Sequence, residues 1–475
     1  MPFRRVGEFI EMKLHCHFAA PIMRRIFPGI LVTAIILTTG ISVTHCYSET
    51  QQEEAPLVEP AGAFRDSLDN RACVEPRDMV LVVGAGGRLQ GSDDLVLQAG
   101  IDYLDKMGGG VLQLLPGEYL MRNTLRLRSH VHILGNGADT ILRKAANFTS
   151  ALVRDAEWYE YGIEVADGSG FSSGCGVMVR DARGQCLKAT VKAREGNRLF
   201  LDRRLGQDFR VEAKADVALT FPVLSAEDTE DVRIENLVID GNKLQNEKVS
   251  GNSSGGVFLL RCKDFVFRNV TVHDYNGDGF SFQICDDLVL EACVAENNAT
   301  LGFHLGSGSQ RSVVRNCTSR GNSQGIYFCW GVNDALIENT TCAENSDYGI
   351  SLGHRDSDNR IMNCTIERNG KAGIFFYSQE SVFFGAHRNA IIDCQIRDNG
   401  PEDPGVGIAV DEPNQNVTIK GNTFEDTGLG RQRTALFVHP NAVNVEIADN
   451  KFVNQAVEVS NSVPLKRRIK ELVGR

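Results

Sequence analysis

Between residues 255 and 455 a short pattern returns every 23 or 24 residues. Its first part is Gly279-Phe280-Ser281-Phe282, then Gly302-Phe303-His304-Leu305, Gly325-Ile326-Tyr327-Phe328, Gly349-Ile350-Ser351-Leu352 and Gly373-Ile374-Phe375-Phe376, with glycines 23, 23, 24 and 24 apart. Its second part, apolar-x-Asn-x-x-apolar, places Asn269, Ala292, Asn316, Asn339 and Asn363 at spacings of 23, 24, 23 and 24. Two registers that keep step at such a period describe a stack of like units, each packed only on its neighbours. The 475 residues are therefore expected to build one elongated body and not two or three globular domains.

Within each unit the residue two before the Asn, the one after it and the one two further on face inward, as in Val314, Cys317 and Ser319, or Ile361, Cys364 and Ile366. Asn sits at the bend because it tolerates the left-handed backbone. Asn316, Asn339 and Asn363 begin Asn-x-Thr sequons; as residues of a buried amide ladder they are not expected to carry glycans. Cys293, Cys317, Cys364 and Cys394 fall in register as one inward row of small apolar side chains. Cys175 and Cys186 lie outside the repeat, and their pairing is left open.

Lys and Arg number 50 against 61 Asp and Glu, a net charge of −11. With no basic cluster in the body, nucleic acid is excluded as a partner. Residues 1–46 differ from the rest: Arg24 and Arg25 precede an apolar run from Ile30 to Val43 that reads as a signal peptide, or as an uncleaved signal anchor. A membrane is then involved only through this segment, and the protein is expected to be secreted, periplasmic or at the cell surface. Residues 47–78 read as a flexible tether. Residues 79–149 form an N-terminal cap and first coils, 150–222 a small antiparallel β insert, 223–458 the main coils, and 459–475 a basic tail. The insert either walls one end of a binding groove or decorates it.

In the cap, Ser92 is placed to start a helix through Met107, with Asp93 and Asp94 in its first turn and Leu97, Ile101 and Leu104 on one face. Gly108-Gly109-Gly110 ends it. A strand, then Leu-Pro-Gly-Glu-Tyr and Leu-Arg-Ser-His-Val-His-Ile-Leu-Gly-Asn-Gly, follow. This order resembles the start of right-handed parallel β-helix proteins of the pectate-lyase-like superfamily. The resemblance implies an all-β solenoid whose first coil is closed by the helix, with a polysaccharide groove along one face. It covers the scaffold from about residue 80 to 455 and carries no catalytic signature of one enzyme.

In the Gly-begun strands the second residue after Gly points out, giving the row Phe258, Ser281, His304, Tyr327, Ser351, Phe375, Ala409 and Phe437. At the coil spacing of parallel strands, Ser281 to Phe375 spans about 19 Å, room for several sugar rings. Loops beyond the strands add Trp330, Tyr377, Asp286-Asp287, Asp411-Glu412 and the dense run His354-Arg355-Asp356-Ser357-Asp358. Lyase or C5-epimerase chemistry on an acidic, uronate-containing polysaccharide needs a base, a group that neutralises the carboxylate, and an acid. Candidates are His304 or His354 as base, Arg355 as neutraliser and Tyr327 as acid or base, with Asp356 beside them; Ser281, Trp330, Ser351, Asp358, Phe375 and Tyr377 are candidates for substrate contact. An acidic protein meets a polyanion only where local charge is reversed, by Arg355 or by Ca²⁺ on Asp286 and Asp287. The alternatives are a non-catalytic carbohydrate-binding or cell-surface protein, and a polygalacturonase-like hydrolase using Asp278 and Asp286-Asp287.

Overall fold

A computed structural model describes residues 79–400 and 405–461. The expected signal or anchor, the tether and the basic residues of the tail lie outside the described residues. Each coil of the repeat contributes three short strands, such as Val313–Arg315, Thr318–Arg320 and Gln324–Phe328. All three pair in parallel with their counterparts one coil on, Val314 beside Ile337, Ser319 beside Cys342 and Ile326 beside Ile350. The result is a parallel β-helix whose inward side chains form one continuous core, Val314, Cys317, Ile361, Cys364 and Ile366 among them. Cys293, Cys317, Cys364 and Cys394 are free and buried in it. Cys175 and Cys186 are also free thiols.

Asn316, Asn339 and Asn363 adopt φ of 55°, 50° and 52° at the first bend, as their left-handed tolerance predicts. Their side chains are exposed, however, so the expectation of a buried ladder at these sequons is corrected. The ladder lies one bend later. There the backbone N–H of Asn298 donates to Asn322 Oδ1 at 2.9 Å, and Asn322, Asn345 and Asn369 repeat the bond to Asn345, Asn369 and Asn399 at 3.1 Å each. Buried backbone groups at a turn need such partners.

The repeated glycines have a steric cause. A Cβ on Gly325 would lie 2.4 Å from the Gly349 carbonyl oxygen and 2.9 Å from Asn345 Nδ2. Gly279, Gly302 and Gly349 are likewise pressed against the next coil's glycine carbonyl and ladder amide. The side-chain position at each glycine thus faces inward, as does that of the next residue, and the strict alternation of a strand is broken there.

At the N-terminal end, the helix Asp94–Lys106 buries Leu97, Ile101 and Leu104. Its cap is Asp93, whose side chain accepts from the Val96 N–H at 3.2 Å, one residue later than expected at Ser92. Covering the first coil in this way removes apolar surface that an open solenoid end would expose. Between Thr149 and Ala218 six strands form a separate antiparallel sheet, the insert. Among the described residues no helix is long and apolar enough to cross a membrane.

Candidate functional site

The row foreseen along the Gly-begun strands exists in register, with Phe258, Ser281, His304, Tyr327, Ser351, Phe375, Ala409 and Phe437 side by side on successive coils. It continues backwards through Ser225 to Arg126. Ala409, Phe437 and Phe375 pack in a small cluster separate from the main core, with Tyr348 stacked on Phe375 at 4.6 Å.

The expectation of an open row needs correction, since Ser281, His304 and Ser351 are 0%, 3% and 0% exposed. One cover is the loop 246–254. The Ser281 hydroxyl donates to the Gly251 carbonyl at 2.5 Å, and a Cβ on Gly251 would fall 1.7 Å from Asp278 Oδ2. The other cover is Tyr377, which leans back over two coils. Its hydroxyl accepts from Gln324 Nε2 at 3.4 Å, and its ring lies 6.3 Å from that of Tyr327. Ser351 donates its own hydroxyl to Gln324 Oε1.

His304 is the chemical centre of this face. Its Nδ1 is 2.7 Å from Asp278 Oδ2, and Asp278 is fixed in turn by the Leu301 N–H at 3.1 Å and the Thr300 hydroxyl. Its Nε2 is buried and makes no hydrogen bond. Burial pulls the imidazole pKa down, but the bond to Asp278, the neighbouring Cys329 and the Asp278 charge raise it to about 10. Gln283, on the preceding coil, also has a buried Nε2 without a partner, while its Oε1 accepts from the Ser307 N–H at 3.2 Å. Gly306 leaves the room that this side chain fills, since a Cβ there would be 2.3 Å from Gln283 Nε2. Buried polar atoms left unpaired are costly in folded proteins, and these two lie on adjacent coils of one face. The Tyr327 ring stands 5.4 Å from that of His304, and burial raises its phenol pKa.

The remaining candidates form a second group at the turn beyond the strands. The His354 ring is sandwiched between Trp330 at 4.7 Å and Phe384 at 4.5 Å, and Arg355 lies over Phe383 and Phe384 at 5.6 and 5.9 Å. Burial, less the bond to Gln379, lowers the His354 pKa. Among the described residues, no hydrogen bond, ion pair or ring contact joins His354 or Arg355 to His304 or Tyr327. Asp356 is fully buried and accepts from the backbone N–H groups of Gly331, Val332 and Gly353 at 2.8–2.9 Å, with burial pushing its pKa up to about 7. Those bonds make it the pin of the turn. Asp358 is held bidentately by Arg388 at 2.6–2.7 Å.

Asp286 and Asp287 are both paired with Arg311, at 3.5 and 2.8 Å. The two carboxylates share one guanidinium, and among the described residues no three His, Cys, Asp or Glu side chains gather as a metal site. This donor set does not fit Ca²⁺. The hydrolase reading loses its carboxylate pair by the same contacts, because Asp278 is committed to His304 and Asp286-Asp287 to Arg311.

Sequence reasoning missed Gln283, and it named Asp278 only as a hydrolase carboxylate and not as the partner of His304. Strict alternation from Ser281 would turn Asp278 inward. The break of alternation at the glycine returns it to the outer face beside His304. The signal was Gly279 itself.

Residues 227–331, 255–384 and 380–464 match the right-handed β-helix region family. The chain belongs to that family. Among solved structures, the A-module of the mannuronan C-5 epimerase AlgE4 from Azotobacter vinelandii is similar over 81% of this chain and 98% of its own, at 16% identity and a TM-score of 0.51. The AlgE6 A-module from the same organism covers 78% and 92% at 15% identity and 0.49, and PfbA, a surface adhesin of Streptococcus pneumoniae, covers 77% and 89% at 12% and 0.46. At these identities the likeness is one of fold. No curated protein sequence matches this chain.

Proposed function

We propose that this chain is an exported polysaccharide-active protein that removes the proton next to the carboxylate of a uronate unit, as a lyase or a C5-epimerase. The observation that carries the reading is His304, held by Asp278 at Nδ1 with Nε2 buried and unbonded, beside the free amide of Gln283 and the phenol of Tyr327. Asp278 holds the proton on Nδ1, so once the imidazolium loses its other proton, with a pKa of about 10, the lone pair of Nε2 is the base. The Gln283 amide donates to the substrate carboxylate and stabilises the charge that develops as the C5–H bond breaks. Tyr327, protonated because burial disfavours its anion, gives its proton away. Given to the glycosidic oxygen at C4, that proton completes elimination, with the C4–O bond broken and a C4–C5 double bond formed. Given to the opposite face of C5, it completes epimerisation. The loop 246–254 excludes water from the pair and has to move for a polymer to enter.

A binding-only reading draws on the second group. The stack Trp330, His354 and Phe384, with Phe383 69% exposed and Arg355 alongside, is an aromatic platform of the kind sugars rest on. Incubation with a panel of uronans, mannuronan among the first, separates the two. Absorbance of an unsaturated product, or an intact polymer with inverted C5 by NMR, supports the enzyme. Binding without either change supports the binding protein. The Tyr327→Phe variant is expected to bind but not to turn over.

A further inference from the structure

Where the insert meets the first coils there is a pocket of about 380 Å³, and its lining is basic in an acidic protein: Arg126, Arg128, Lys188 and Arg203. Two carboxylates also line it, Glu227 and Asp228, but both are bound by Arg261 at 2.6 and 2.7 Å. Arg128 is paired with Asp102 at 3.3 Å. Arg126 and Arg203 share the single carboxylate of Asp202, at 3.9 and 3.4 Å. Lys188 has no carboxylate partner among the described residues, and its ammonium lies 3.8 Å from the centre of the Phe258 ring. The pocket therefore holds uncompensated positive charge in a half-buried setting, where an anion is attracted more strongly than at an open surface.

Its position gives that charge a meaning. Phe258 is the register partner of Ser281, which is the partner of His304, so the pocket stands two coils from His304 on the same face, about 10 Å away at the spacing of parallel strands. A saccharide chain lying along the row with one unit at His304 carries a neighbouring unit into this pocket. Resting on the assignment of His304 to a uronate-active site, we infer that the pocket formed by the insert is an anion subsite that takes the carboxylate of a second acidic sugar unit, with Lys188 as its principal contact and Arg126 and Arg203 as its rim. The insert is then a specificity device that admits acidic chains to an otherwise acidic protein.

Binding is measured by calorimetry in the turnover-blocked His304→Ala protein, with tetrasaccharides of mannuronate, guluronate and galacturonate and with their carboxyl-reduced counterparts. Lys188→Met, of similar length and no charge, is expected to weaken the best charged tetrasaccharide about tenfold and to leave the reduced one unchanged. Lys188→Arg is expected to keep tight binding, which separates loss of charge from loss of fold. Equal affinity of Lys188→Met and its parent for the charged chain overturns the subsite. If the wild-type protein turns over no uronan while Lys188-dependent binding persists, the enzyme assignment falls and the subsite stands. If no acidic chain binds at all, both fall.

Discussion

His304 Nδ1 lies 2.7 Å from Asp278 Oδ2, and the two residues come from adjacent coils, 26 positions apart. The contact is between turns of the solenoid and not within one, so it exists only when the coils stack in register. Asp278 is one of the groups that hold the imidazole pKa at about 10 against the opposing pull of burial. With His304 as base, turnover should rise about tenfold per pH unit and level off near pH 10. Asp278→Asn removes a raising influence and leaves burial, so the limb should move to lower pH while the maximal rate falls; NMR titration of the imidazole checks the same shift without turnover. The sign for stability follows. A folded pKa above the ordinary 6.5 adds stability that is fully present below that value and is lost as pH rises through about 10. His304→Gln should flatten that decline in denaturant titrations.

The loop over the pair makes a separate prediction. Gly251→Ala would place a methyl group 1.7 Å from Asp278 Oδ2, so the loop must shift. Faster hydrogen exchange in residues 246–254 and an altered pH limb are expected, with a modest fall in melting temperature because Val249 of the loop packs into the main core.

The repeated glycine and the buried amide ladder should respond as core features. Gly325→Ala brings a Cβ within 2.4 Å of a backbone oxygen and should cost about 1–3 kcal/mol. Asn345→Ala removes the acceptor of the Asn322 N–H and the side-chain donation to Asn369 Oδ1, and should cost a similar amount, about 1–3 kcal/mol, by leaving the buried Asn322 N–H unpaired. Asn339→Ala, at the exposed bend, should cost less than either. Chemical denaturation ranks the three.

Because Asp286 and Asp287 are both engaged by Arg311 and no third ligand gathers with them among the described residues, dialysis against a chelator should leave both turnover and melting temperature unchanged. A loss restored by Ca²⁺ would place a metal elsewhere on the chain.

Much of this molecule was legible as sequence because a solenoid writes its geometry into a fixed period. The glycine register set the row from Phe258 to Phe437, and the inward positions of Cys317 and Ile366 followed from the Asn register. What the period hid were relations between coils. The buried amides of Asn298, Asn322, Asn345 and Asn369 fall outside the Asn316 register, and only stacking shows that they turn inward. The contact of Asp278 with His304 was hidden because glycine breaks the two-residue alternation. His354 and Arg355, dense in sequence, stand apart from His304 because a turn carried them off the strand face. No sequence pattern announced that the loop 246–254 or Tyr377 would cover the row.

The most direct test of proton abstraction by His304 is proton NMR of a uronan incubated with the protein in D₂O, following the resonance of the hydrogen on C5. Elimination destroys that hydrogen and epimerisation exchanges it for deuterium, so one signal reads both outcomes. The resonance should decay with the wild-type protein and persist with His304→Ala, which should still bind the tetrasaccharide. A resonance that stays intact across the panel of uronans, or that decays equally fast with His304→Ala, would contradict the account.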